Sequence, residues 1–135
     1  MELTLCREFS LLPEDERFLE EYGLNWETIR DGSQWVLLHE FSTHEGYNHN
    51  HVTVAIRLEA GYPKAQLDMV YVYPHLARKD RIPINATNNK QVIKGTSYQR
   101  WSRHRSNQNP WKADEDNLGS HITLIEEWFS REFEK

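Results

Sequence analysis

Cysteine is almost missing from this chain. Cys6 stands alone among 135 residues, which rules out an internal disulfide and any metal site built from several thiolates. Near the N-terminus, in Leu5-Cys6-Arg7-Glu8, it reads as a structural thiol of a reducing compartment. An excess of positive charge is missing too. The formal net charge is -5, whereas a general nucleic-acid binder needs a basic surface to displace counterions from phosphates. No apolar run approaches the roughly 20 residues that span a bilayer, and no cationic segment with an apolar stretch behind it opens the chain. A soluble, cytoplasmic protein that engages neither nucleic acid nor membrane is expected. No glycine-rich phosphate-binding loop is visible, so no nucleotide is hydrolysed here and no cofactor is implied.

The hydrophobic pattern changes type along the chain. At 38% hydrophobic residues over 135 positions, one domain covering 1–135 can bury about two-thirds of its unfolded surface. Pro13, the acidic Glu14, Asp15 and Glu16, then Phe18, Leu19 and Tyr22, and finally Gly23 give the start and stop signals of a short helix. In residues 34–41, Trp35, Leu37, His39 and Phe41 alternate with Val36, Leu38 and Glu40, as in a largely buried strand. Val52, Val54, Ile56 and Leu58 alternate with His51, Thr53, Ala55 and Arg57 in a second. A third is expected over about 67–73. Short connections favour an antiparallel meander. Residues 74–90, polar and rich in asparagine, read as a long irregular excursion. Leu118, Ile122, Ile125, Phe129 and Phe133 recur at helical spacing, predicting a helix over about 117–133 that covers one sheet face. The expected order is helix, three or four antiparallel strands, a long loop and a helix, an α+β domain.

That last loop, 95–111, concentrates two tryptophans, arginines, hydroxyls and a histidine. A connector needs none of these. A serine hydroxyl is protonated at neutral pH and requires a neighbouring base to become a nucleophile, and His104 lies two residues beyond Ser102. In an extended segment such residues share a side with backbones about 6.6 Å apart, so both side chains must lean together. Arg100, Arg103 and Arg105 can steady an oxyanion or a carboxyl tail, or pair with surface acids. Trp101 and Trp111 can shield an ester from water or anchor a core. Asp114, Glu115 and Asp116 read as a cap and dipole complement of the following helix, Asn117 as a group able to orient an acceptor, and His121 as a hydrogen-bonded packing residue. The histidines of residues 44–51 suggest zinc ligands, but the segment joins two strands without metal-binding spacing and is better treated as turn chemistry.

The order of elements, Tyr62-Pro63 ahead of the third strand, and Trp111 ahead of the long helix resemble the ubiquitin-conjugating enzyme fold in its divergent bacterial branch, over about residues 14–133. In that fold a long loop carries a catalytic cysteine. Residues 95–106 hold no thiol, and Tyr73-Pro74-His75 does not match the His-Pro-Asn signature of the eukaryotic enzymes. The string Tyr98-Gln99-Arg100-Trp101-Ser102-Arg103-His104 resembles the signature of the bacterial family that accompanies multi-ubiquitin-like proteins and their activating enzymes. The resemblance implies Ser102 at or near the cysteine's place, carrying the modifier as an oxyester. It also implies a ubiquitin-like protein, an activating enzyme and a target protein as partners. Three functions follow: a serine-dependent conjugating transferase, a catalytically inactive module that binds the modifier or its activating enzyme, and an RNA-contacting domain using Tyr98, Trp101 and the arginines, against which the acidic whole weighs.

Overall fold

The protein, seen in a computed structural model, is described over residues 4–134; residues 1–3 and 135, the extreme ends of the expected domain, lie outside the described residues. Pro13 opens helix α1 (Pro13–Tyr22) with its fixed φ, three acids complement the dipole of the first turn, and Gly23 closes the helix in the left-handed conformation at φ 90°. Six strands follow: β1 (Trp26–Arg30), β2 (Gln34–Ser42), β3 (His51–Leu58), β4 (Val70–Tyr73), β5 (Lys90–Ile93) and β6 (Thr96–Trp101). Helix α2 (Leu118–Arg131) ends the fold. No helix among the described residues is long and apolar enough to cross a membrane.

The sheet is antiparallel throughout, in the order β1-β2-β3-β4-β6-β5. From β4 the chain must pass the place β6 will fill, build the edge strand β5, and return. The excursion over 74–89 makes that detour possible.

Alternation along β2 sends Val36 and Leu38 to one face and Trp35 and Leu37 to the other, and all four are buried. Both faces of β2 are therefore buried. The first face joins Val54, Ile56, Val70, Val72 and Trp101 to Leu118, Ile122, Ile125 and Phe129 of α2. The second is filled by the sheet's own side chains, Ile29, Trp35, Leu37, Ala55, Tyr71, Ile93 and Tyr98, with Trp35 edge-on to Tyr71 at 5.1 Å. It closes because the sheet curls: the Lys94 N–H at the β5–β6 turn donates to Asp31 Oδ2 at the β1–β2 turn, 2.7 Å away.

The third strand is shorter than the expected 67–73, and the sequence reading misses β1, β5 and β6. Much of the segment read as a loop, residues 96–101, is the strand that separates β4 from β5. Its pattern is hidden because a polar residue fills a core position: Gln99 is buried with its amide fully satisfied. Its Oε1 accepts from Leu76 N and Trp101 Nε1, each at 2.9 Å, and its Nε2 donates to Leu76 O at 3.0 Å.

Two polar ties attach the helices. The Tyr62 hydroxyl donates to Asp15 Oδ2 at 2.7 Å and accepts from Leu118 N at 2.8 Å, so one phenol joins α1 to the first turn of α2. Burial pushes the Asp15 carboxyl up. His121 is fully buried and its Nε2 donates to Met69 O at 2.9 Å, as its expected packing role requires. Gly119 lets the helices approach, since a Cβ there would lie 2.8 Å from the Phe18 ring.

Tyr62→Phe keeps the ring but leaves the buried Asp15 Oδ2 without its donor and Leu118 N with only its longer bond to Asp15 Oδ1, 3.3 Å; urea unfolding should show a loss of about 1–3 kcal/mol. Burial depresses the His121 imidazole to about 4, below the ordinary value near 6.5, so between those pH values the unfolded chain takes up a proton that the folded one refuses. Stability is therefore complete above about pH 6.5 and falls as the pH drops, by roughly 3 kcal/mol at pH 4. In His121→Gln, whose amide can still donate to Met69 O, urea titrations at pH 7 and pH 4.5 should show that slope flattened.

Candidate active site

Strand β6 delivers the candidate residues to one end of the sheet. Trp101, its last residue, is fully buried and stands edge-on to Phe129 of α2 at 5.1 Å, so it is a core anchor. The chain then leaves the ladder but not its neighbours. Ser102 N donates to Ala86 O at 3.0 Å, and Met69 N donates to Arg103 O at 3.0 Å. Arg103 Nη1 adds a bond to Asn85 O at 2.9 Å. The backbone around Ser102 is thus held from both sides, by the 74–89 excursion and by the entry to β4. Both clamping residues are strained: Met69 has φ 60° and Ala86 φ 56°, conformations that cost a side-chain-bearing residue about 1 kcal/mol or more. Strain of this kind persists only where surrounding contacts enforce it, and it clusters at sites of function.

Ser102 is half-buried, and its Oγ makes no hydrogen bond among the described residues. His104 is not bonded to it. The imidazole Nδ1 instead lies 2.7 Å from Asp68 Oδ2, with 60% of the His104 side chain and 20% of the Asp68 side chain exposed. An ionised carboxylate only accepts, so Nδ1 carries the proton of this bond and Nε2 is left with a free lone pair in the neutral ring. The other Asp68 oxygen, Oδ1, is buried without a partner. Asp68 lies 36 positions before His104, and no periodicity or motif couples the two in the sequence.

The arginines sort into two kinds. Arg103 faces Glu132 at 3.6 Å and rests on the Trp101 ring at 4.8 Å; burial pulls its pKa below the usual arginine value. Arg105, its side chain only 6% exposed, faces Asp116 at 3.4 Å and lies over Trp111 at 5.0 Å. These two tie the loop to acids at opposite ends of α2. Arg100 has no acid partner among the described residues, and its buried Nε makes no hydrogen bond. It is the ladder partner of Tyr71, two positions from Ser102.

Trp111 is half-buried against Tyr62 at 6.3 Å, its indole donating to Pro63 O at 2.9 Å. The helix cap is Asn117, whose side chain accepts from Ser120 N at 3.0 Å within a capping box. This corrects the assignment of Asp114, Glu115 and Asp116 as the cap: α2 has no acid in its first turn, and Asp116 holds Lys112 N and Arg105 instead. The carbonyl side of the Asn117 amide is likewise occupied by the cap.

A cleft of about 190 Å³ lined by Arg103, His104, Trp128, Arg131 and Glu132 opens beside the imidazole. A wider depression of about 620 Å³, between the β1–β2 turn and the end of β3, is lined by none of the candidate residues. Cys6 is exposed on the segment that pairs with β1. Desolvation and the Glu27 carboxylate push its thiol up, away from the thiolate a nucleophile needs. His44 Nδ1 accepts from Gly46 N at 2.9 Å and its ring stacks on Phe133 at 4.3 Å, which is turn and packing chemistry. Among the described residues no three histidine, cysteine or acidic side chains gather as a cation site.

A family model described as "Prokaryotic E2 family E" matches residues 11–132, from two residues before α1 to one residue after α2. No curated protein and no solved structure matches the chain.

Proposed function

Because the chain belongs to prokaryotic E2 family E, and so is an E2-like conjugating module, we propose that it takes a ubiquitin-like protein from an activating enzyme as an oxyester on Ser102 and passes it to a target protein. The observation that carries this reading is the Ser102 Oγ, without a hydrogen bond among the described residues, on a backbone clamped by two strained residues and two positions from an exposed imidazole held through Nδ1 by Asp68. The lone cysteine lies beside β1, at the opposite end of the sheet order from β6.

Each neighbour has a part. His104 is the base that removes the Ser102 proton. Arg100, without an acid partner among the described residues, is the guanidinium available to the oxygen that gains charge at the acyl carbon. Arg103, with Trp101 beneath it, fixes the loop, and Trp111 and the Asn117 cap set where α2 begins. An oxyester is less reactive towards amines than a thioester, so hydroxyl acceptors come within reach as well as lysine.

Intact mass after incubation with the activating enzyme, its ubiquitin-like protein, ATP and magnesium tests this. The wild type and Cys6→Ser should gain one modifier through a bond that hydroxylamine cleaves, and Ser102→Ala should gain none. Arg100→Ala should slow the gain on the order of 10²- to 10³-fold, as loss of an oxyanion donor does. A stable complex without any adduct would instead identify an inactive module that holds the modifier or its activating enzyme.

A further inference from the structure

We infer that Asp68 is the positioning residue of the site, holding His104 by Nδ1 so that Nε2 is the nitrogen that takes the Ser102 proton; this rests on the reading of Ser102 as the acyl carrier. The contact is short, at 2.7 Å, and joins a carboxylate that is mostly shielded to an imidazole that is mostly open, at 20% and 60% side-chain exposure. Both backbones are held. Met69, next to Asp68, donates its N–H to the carbonyl of Arg103, next to His104, and Met69 O is itself bonded to His121 of α2. The pair therefore lies just outside β4 and β6, on backbone tied to its neighbours and not on a free loop.

The second observation is the unsatisfied Asp68 Oδ1. A buried carboxylate oxygen without a partner is costly, and the pair gains most when the imidazole is a cation, the form it takes while it holds the serine proton. The step balances. The Ser102 Oγ attacks the thioester carbonyl at the modifier's C-terminus, and its proton moves to His104 Nε2. The new C–O bond replaces the C–S bond, and the departing thiolate takes the proton to leave as a thiol. The opposite tautomer would present an N–H to Oγ and could not accept its proton.

Nitrogen-15 NMR of the free protein and the mass assay together decide the matter. In the wild type the His104 signals should show the proton on Nδ1, and in Asp68→Asn that preference should be lost. Asp68→Asn should lower kcat for adduct formation on the order of 10²- to 10⁴-fold with KM for the charged activating enzyme unchanged, and Asp68→Glu should recover part of it. An Asp68→Asn protein that keeps the wild-type tautomer, or forms the Ser102 adduct at the wild-type rate while His104→Ala does not, overturns the assignment and leaves Ser102 standing. Absence of an adduct in the wild type overturns the Ser102 reading itself, while the tautomer measurement still decides whether Asp68 sets the ring. Thermal unfolding of each variant confirms that the comparison is made between folded proteins.

Discussion

The side-chain amide of Gln99 holds the arrangement on which the site depends. By bonding both the N–H and the carbonyl of Leu76 and the indole of Trp101, it fastens β6 to the chain leaving β4. A strand that enters the sheet from a long detour pays more loop-closure entropy than one that follows a tight turn. Buried amide bonds of this kind give it a register that apolar contact alone does not specify. With β6 fixed between β4 and β5, its last residue drives Trp101 into the core, and the next residue, Ser102, emerges where the sheet ends.

Burial on both faces follows from the same placement. The helices cover one side, and the curl closed by Asp31 and Lys94 brings the aromatic residues of β2, β4 and β6 together on the other. The central strands are therefore buried on both faces, and the sheet's exposed large hydrophobic residues, Tyr73 and Val92, lie towards its β5 edge. Met69 and Ala86 are held in left-handed conformations beside the serine. The cost of those conformations falls on the well-packed elements that flank them.

Electrostatics divides the labour among similar residues. Each of the three arginines keeps one buried nitrogen without a hydrogen bond, but Arg103 and Arg105 face Glu132 and Asp116, which bind the loop to α2, whereas Arg100 faces no acid among the described residues. In the same way His121 is a neutral strut, its charge excluded by burial, while His104 stays open to solvent and leans on a carboxylate. Identical side chains acquire different uses through what surrounds them.

The residues by themselves determined the two helices, the strands β2 and β3, the short third strand in outline, and the missing thiol. Period and end signals are local properties: Pro13 and Gly23 bound α1, and the alternation from His51 to Leu58 is β3 to the residue. The string around Ser102 also carried the family likeness, which the match over residues 11–132 bears out. Only tertiary structure decided the rest. β6 was illegible because Gln99 occupies a core position through hydrogen bonds rather than apolarity, and β1 and β5 are too short, at five and four residues, for a period to register. The partner of His104 was equally hidden, because Asp68 is distant in sequence and reaches the imidazole only when β4 and β6 lie side by side. A pairing between strands is a property of their register, and no residue carries it alone.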